Sequence, residues 1–373
     1  MIGYGFMGQA HSNAFLKFPS MFWPPVARVR LRALAGRTED AVAEAAARYG
    51  YEGYYTDWHD LVADDRITLV DNVAWHTAHV EPSIAALDAG KHVLCEKPLA
   101  TNTADARRMR DAARRAEAAG IKHMVAFNYR FAPAVRLARE LIAGGHLGRV
   151  HRVHVTYLQD HQADPDKVIA AKYRQGKTGV LLGLGSHAID LVRYLVGEPT
   201  SVTGYLRTVV PQRPDGQGGT VTMPDDDTAI AQLELENGAV GTLAVSYVSA
   251  GRKNHLTVEV NGLEGSLNWD LEDLNRLHVF RAGRDKVAGL AGFENVQVTE
   301  GQHPLMQYWW PPGHILSWEH LHANLIEHFV RAVATGGPVA PHGATFEDGY
   351  RANAVSDAVE ESWRTGRRVA VTY

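Results

Sequence analysis

Gly3-Tyr4-Gly5-Phe6-Met7-Gly8 forms a G-x-G-x-x-G run at the start of the chain. In such a run the first glycine makes a tight turn, the second lets backbone amides approach a pyrophosphate, and the third packs a helix closely, with the helix N-terminus favouring phosphate charge. Phe6 and Met7 belong to the same turn. Further on, Ala35-Gly36-Arg37-Thr38 ends an apolar run where a carboxylate for adenosine ribose hydroxyls is commonly found, and none is present. Arg37 either pairs with a ribose 2′-phosphate or stacks on adenine, or it is a solvated residue at a helix start. NADP is therefore admitted beside NAD. Cys95-Glu96-Lys97-Pro98 directly follows a buried-type strand, which sets Lys97 at the carboxyl edge of a parallel sheet, where ligands of such folds bind.

A second set of polar groups lies downstream. Tyr129 and Arg130 follow the strand nearest the glycine turn, and Tyr157 and Gln159 share one face of a strand. Such groups suit a polyhydroxylated ring, although solvated edge residues alternate in the same way. Trp309-Trp310-Pro311-Pro312-Gly313-His314 adds aromatic surface for a sugar face or an oligomer contact. His314, Glu319, His320, His322 and His328 are dense, yet no H-E-x-x-H or Cys-His ligand spacing occurs, so no metal is expected. Hydrogen bonding is their expected role, with His314 or His320 as the members that could reach a substrate.

These groups need elements to position them. The 373 residues, 45% hydrophobic and 21% charged, suffice for two adjoining cores and exclude disordered, collagen-like and disulfide-scaffold classes. With Cys95 alone no intrachain disulfide can form, and no apolar run or leader-like start suggests a membrane span or signal peptide. A cytoplasmic protein is the default reading. A net charge of -4 gives no general reason to bind nucleic acid or anionic lipid.

Up to Phe127 the apolar runs 29–35, 67–73, 91–96 and 123–127 alternate with helical patterns at 39–49, 81–90 and 104–120. That alternation is the pattern of an α/β, doubly wound parallel sheet. Only Met1 and Ile2 precede the glycines, so either the first strand is unusually short or the natural protein starts upstream. Residues 128–373 read as an α+β domain with a large, mainly antiparallel sheet. Asn237-Gly238 and Asn261-Gly262 are the expected hairpin turns, and 211–227 a surface loop. Helices near 186–196 and 317–335 should cover one sheet face, and the last helix, 348–365, could pack on either domain.

Over essentially its whole length the chain resembles the glucose-fructose oxidoreductase, inositol dehydrogenase and MocA family. The resemblance rests on the glycine-rich start, Glu96-Lys97-Pro98, Phe127-Asn128-Tyr129-Arg130 with Pro133, and Gly185-Ser186-His187 with Asp190. Thr156-Tyr157-Leu158-Gln159-Asp160 is most similar to the levoglucosan and inositol type of sugar dehydrogenase. The resemblance implies a Rossmann domain at 1–127 and a substrate-binding, oligomer-forming domain at 128–373. It implies that Lys97 contacts the substrate hydroxyl and nicotinamide ribose while His187 removes the hydroxyl proton. The chemistry agrees, since imidazole is a base poised near neutrality and an ammonium stabilises a developing alkoxide. Asp190, a turn beyond His187, is expected to be structural.

The cofactor side then comprises Gly3, Gly5, Phe6, Met7, Gly8, Gly36, Arg37, Thr38, Ala74, Trp75, His76, His79, Glu96, Lys97 and Asn128. The substrate side comprises Lys97, Tyr129, Arg130, Tyr157, Gln159, His187 and His314. Two departures stand out. Gly183 replaces the family's usual aspartate four residues before the histidine, and Ala74-Trp75-His76 replaces its usual Thr-Pro-Asn. The expectation is an NAD- or NADP-dependent oxidoreductase moving hydride between nicotinamide and a ring secondary alcohol of a sugar, glycoside or cyclitol, assembled as a homodimer or homotetramer. The alternatives are a lyase or glycosidase that cycles bound NAD transiently, and a non-catalytic dinucleotide-binding protein.

Overall fold

The computed structural model describes residues 1–170, 173, 177, 179–283 and 291–373. In chain order its α-helices are α1 (Phe6–Met21), α2 (Glu39–Tyr49), α3 (Trp58–Ala63), α4 (Val80–Asp88), α5 (Thr103–Glu117), α6 (Pro133–Ala143), α7 (Ser186–Leu195), α8 (Trp318–Thr335) and α9 (Phe346–Thr365). Contacts divide the chain into two compact units whose boundaries differ from a single division after residue 127. Unit 1 is Met1–Phe131 with Gln307–Trp310 and Leu316–Asn353, and unit 2 is Ala132–Met306 with Pro311–Ile315 and Ala354–Tyr373.

Unit 1 holds the parallel sheet: β1 (Ala33–Ala35), β2 (Gly53–Tyr55), β3 (Leu69–Asn72), β4 (His92–Cys95) and β5 (His123–Val125). β1 pairs with β2, and β3, β4 and β5 lie side by side. Ile2 joins the two groups by parallel bridges to Ala35 and Asn72. Ahead of the glycine turn Ile2 forms these bridges, and the Met1 amine donates to the Ala33 carbonyl at 2.8 Å. The helices follow their caps. Asp57 accepts from the His59 amide, Asn102 from the Asp105 amide, and Gly50 ends α2 in the left-handed region. α5 buries Ala106, Met109, Ala112 and Ala113 and turns its arginines outward.

Helix α8 does not cover the antiparallel sheet as its pattern suggested; it belongs to unit 1 and packs on α1. The reason lies in its first turn. Trp318 stacks on Phe6 with ring centroids 5.4 Å apart, and Glu319 takes Lys17 at 2.7 Å and Asn13 at 2.9 Å. An apolar stripe reveals that a helix must be covered but not by which partner.

Unit 2 is built on a nine-stranded sheet. Its strands are β6 (Val150–Leu158), β7 (Pro199–Arg207), β10 (Thr228–Leu235), β11 (Val240–Ser246), β12 (His255–Gly262), β13 (Gly265–Asp270), β14 (Arg276–Arg281), β15 (Glu294–Gln297) and β16 (Val369–Ala370). The order is β15-β14-β13-β12-β6-β11-β10-β7-β16, antiparallel except for β6 against β11. Helices α6 and α7 pack against it. Segment 211–227 is not a plain loop, because β8 (Gln212–Pro214) and β9 (Thr220–Thr222) pair in it as a small hairpin. Helix α9 is shared between the units: its first turns, through Asn353, belong to unit 1 and the remainder to unit 2. Among the described residues no helix is long and apolar enough to cross a membrane.

Of the two expected Asn-Gly turns, Asn237-Gly238 joins β10 to β11, with Gly238 at φ +80°. Asn261 and Gly262 instead pair with Arg152 and Val150 inside β12, and the chain reverses at Leu263-Glu264. A glycine is required at 262 for packing, since a Cβ there would overlap the Leu147 carbonyl. Gly262→Ala should therefore cost about 1–3 kcal/mol, read as a fall in thermal midpoint. An unchanged midpoint would return Gly262 to an unconstrained turn.

Candidate active site

The glycine turn leads into the N-terminus of α1. Gly3 adopts φ +96°, and a Cβ on it would lie 2.9 Å from the Ala74 backbone; a Cβ on Gly8 would lie 2.8 Å from the Gly3 carbonyl. Both close approaches are possible only without side chains. A Cβ on Gly5, by contrast, meets nothing within 4 Å. Gly5 is the N-cap and offers no side-chain bond, and the first turn carries no acidic residue. The orphan amides of α1 thus face an open cradle, which fits a dinucleotide pyrophosphate. Gly36 is a glycine because the Tyr4 ring lies where its Cβ would be. Arg37 and Thr38 are exposed just beyond it.

The 74–76 loop is tied to the Lys97 turn by a residue inside unit 1. His79 is buried, with Nδ1 2.8 Å from the Pro98 carbonyl and Nε2 3.0 Å from that of Ala74. Burial lowers its pKa against these contacts, so the ring acts as a neutral staple between the two segments. Asn72 assists by donating to the Ala78 and His79 carbonyls. Trp75 is 38% exposed and its ring lies 4.2 Å from that of His76.

Behind Lys97 is a buried charged row. His11 Nδ1 lies 2.9 Å from Asp71 Oδ2, and Nε2 lies 3.3 Å from Glu96 Oε1. That second contact has ion-pair distance without hydrogen-bond alignment. The other Glu96 oxygen accepts the Lys97 amide at 2.9 Å. Burial alone would lower the His11 pKa, but Asp71 and then Glu96 outweigh it and raise it to about 10. Glu96 responds in kind: burial opposes its charge, while the close His11 ring and its charge, then Lys97, hold it below its ordinary value. His322, its ring 5.3 Å from His11, is pushed down to about 3 by burial and by the His11 charge. Asn128 Nδ2 meets His322 Nε2 at 3.3 Å.

Tyr129 and Arg130 are both buried, and the Arg130 guanidinium is engaged by Asp348 at 3.3 Å and the Pro341 carbonyl. Arg130 is thus a clamp on the start of α9 within unit 1. The dense histidines divide among separate tasks: His320 accepts from the Ser317 amide at the start of α8, and His328 meets the Val339 carbonyl at 2.8 Å. His314 is exposed, its Nδ1 2.9 Å from the Pro311 carbonyl. Elsewhere His255, Asp270 and Glu272 gather with ligand spacing, but Arg252 lies 3.5 Å from His255 Nδ1 and 3.9 Å from Glu272. A guanidinium thus already neighbours two of the three.

Unit 2 carries the second polar set. Tyr157 and Gln159 do act together, since both donate to Asn254 Oδ1, at 2.8 Å and 2.7 Å. Tyr157 is also edge-on to His187, with centroids 6.0 Å apart, and His187 is buried at the start of α7. The preceding residues Leu181–Gly185 form a π-type turn, a feature that occurs frequently at functional sites. Within it, a Cβ at Gly183 would overlap the Tyr247 hydroxyl, so this position must be a glycine for Tyr247 to fit. Asp226 accepts the Leu181 amide at 2.8 Å, and burial raises its pKa to about 6. The residues that the sequence did not mark are His11, Asp71, Asn254, Asp226 and Tyr247, while His322 stood out only as one of the dense histidines. None lies in a motif, although His11 falls three residues after the glycine run on the helix it begins.

Residues 1–123 match the family described as oxidoreductase family, NAD-binding Rossmann fold, and residues 135–268 match the GFO/IDH/MocA C-terminal domain. Levoglucosan dehydrogenase of Pseudarthrobacter phenanthrenivorans is 36% identical over 97% of this chain and 95% of its own. The crystal structure of an oxidoreductase domain protein from Kribbella flavida aligns with a TM-score of 0.95 at 39% identity, over 100% of this chain and 98% of that one. A levoglucosan dehydrogenase complexed with NADH and levoglucosan aligns with a TM-score of 0.94 at 37% identity, again over 100% and 98%.

Two outcomes follow from this geometry. Gly183→Ala should lower stability by about 1–3 kcal/mol through overpacking, and Tyr247→Phe in the same chain should recover part of it, because the ring carbon left behind would lie 3.1 Å from the new Cβ. Additive losses in this double-mutant cycle would contradict the steric account. A raised His11 pKa stabilises the fold fully below the ordinary imidazole value of 6.5, and that contribution declines as pH rises towards about 10. Denaturant unfolding across this range should show the decline in the native protein and a flatter curve in His11→Gln.

Proposed function

The chain belongs to the glucose-fructose oxidoreductase, inositol dehydrogenase and MocA family of NAD-binding oxidoreductases, and from that premise we propose that it oxidises a ring secondary alcohol of a sugar, with levoglucosan or a similar anhydrosugar the first candidate. The observation that carries the reading is the pairing, inside unit 1, of an open glycine cradle at the N-terminus of α1 with Lys97 at the carboxyl edge of the same parallel sheet. The 36% identity to a levoglucosan dehydrogenase supports the anhydrosugar choice.

When bound, the nicotinamide supplies the hydride acceptor or donor. The chain's own residues do the rest. The amides of α1 and the glycine turn hold the pyrophosphate, and Arg37 reaches the adenosine ribose. Lys97 faces the substrate hydroxyl with its ammonium and stabilises the negative charge that grows on that oxygen. His187 takes the hydroxyl proton at a ring nitrogen, its orientation set by packing against Tyr157. Tyr157, Gln159 and Asn254 present a hydroxyl and two amides for the other ring hydroxyls. Unit 2 also supplies the assembly surface: Tyr205, Ile230 and Val240 are about half exposed on the sheet, which suits a cytoplasmic homodimer or homotetramer.

The test is absorbance of reduced nicotinamide with anhydrosugars, hexoses and inositols, each offered with NAD and with NADP. Reduction with an anhydrosugar is expected; silence across the panel would overturn the reading. With the productive substrate, Lys97→Met should lower kcat/KM by about 100- to 1,000-fold, and His187→Ala by about 100- to 10,000-fold. Near-native turnover in both would remove them from the mechanism.

A further inference from the structure

The charged row behind Lys97 has no part in the chemistry so far assigned, yet it is the most deeply buried ionic group of unit 1. His11 is fully buried, Asp71 and Glu96 nearly so. Three elements deliver these side chains: α1 brings His11, β3 brings Asp71, and the segment leaving β4 brings Glu96. A fourth, α8, brings His322 against the free face of the His11 ring. The groups that face this imidazole are therefore two carboxylates and one histidine, with Lys97 and the Met1 amine acting on the carboxylates. Two carboxylates around one ring demand a cation there, and His322 stays neutral because burial disfavours its charge and His11 adds to that. The His322 Nδ1 atom has no hydrogen-bond partner among the described residues, so that ring is not itself fixed by an acceptor.

We propose that His11 is a positioning residue for the reaction, a buried imidazolium that anchors one oxygen of Glu96 so that the other remains on the Lys97 amide and fixes how Lys97 leaves the sheet edge. The proposal rests on the reading of Lys97 as the group that meets the substrate. His11 touches neither substrate nor the reacting atoms in this scheme; it acts through Glu96. A neutral glutamine at position 11 can keep one hydrogen bond but cannot balance both carboxylates. Glu96 then turns or takes up a proton, and the Lys97 backbone loses its fixed acceptor.

The test has two arms that fail separately. Nitrogen-15 spectra of histidine-labelled protein, with the His11 ring identified by its contact with His322 and by its loss in His11→Gln, need no substrate. Both His11 nitrogens should remain protonated from about pH 6 to about pH 9, where an ordinary imidazole has titrated; a neutral His11 ring at pH 7 overturns the proposal. In the kinetic arm, His11→Gln should lower kcat by at least about tenfold while the dinucleotide dissociation constant changes less than about threefold. Adding Glu96→Gln should recover part of the thermal midpoint, by removing one of the two unbalanced charges, without restoring kcat. Native kcat and native pH profile in His11→Gln overturn the proposal, as does a loss carried wholly by dinucleotide affinity. If no substrate reduces nicotinamide, the reading of Lys97 fails, and the spectra still decide the charge on His11.

Discussion

Asp71 and Glu96 stand at the ends of neighbouring strands with one imidazole between them, and two ionised carboxylates can be buried together only around a cation. Much of unit 1 is arranged to meet that condition. His11 can reach both acids only if α1 runs directly off the glycine turn over the sheet edge, and this is the same geometry that aims the α1 amides at a pyrophosphate. Glu96 then carries the constraint one residue further, to the amide of Lys97. Helix α8 closes the remaining face with a histidine held neutral. The glycine cradle and the lysine proposed to meet the substrate are in this sense two ends of one electrostatic arrangement. Breaking a buried pair of this kind costs about 3–5 kcal/mol, because the abandoned charge cannot return to water.

Unit 2 solves a different problem, that of keeping His187, the base of the proposed reaction, near several hydrogen-bonding groups. Pairing of β6 with β12 brings Tyr157, Gln159 and Asn254 together where Leu158 meets His255, and His187 lies in the first turn of α7. Gly183 shows how the surface is adapted. Where relatives of this family are expected to carry an aspartate, the space is filled from the sheet side by the Tyr247 hydroxyl, and a π-type turn accommodates it. Asp226 accepts the Leu181 amide at the start of this turn and, being buried, gives up its charge more readily than an ordinary carboxylate.

The parts of this account that were legible in the sequence are those set by local rules. Gly3 and Gly8 announce a turn because only glycine tolerates those backbone approaches, Gly5 leaves the start of α1 open, and α2 spans residues 39–49 as its Ala-rich composition indicates. Lys97 could be located because a buried strand immediately precedes it. What could not be read depends on long-range partners. The stripe on α8 was legible, but not that Phe6, Asn13 and Lys17 would claim it. Gly262 looked like a turn glycine, whereas its reason is the Leu147 carbonyl, a hundred and more residues away in sequence. His11 seemed unremarkable within an apolar helix, because its charge arises only when Asp71 and Glu96 meet it in three dimensions.

The central claim is that hydride leaves a ring carbon of a sugar for a nicotinamide and that the reduced dinucleotide is released. The most direct measurement offers levoglucosan deuterated at each ring carbon bearing a secondary hydroxyl, one position at a time, and reads the label in the free reduced dinucleotide by mass spectrometry. The account predicts one deuterium per turnover from a single ring position, with a matching ketosugar. Product formed while the free dinucleotide stays unlabelled would contradict it, because hydride would then be returning to the sugar within one catalytic cycle.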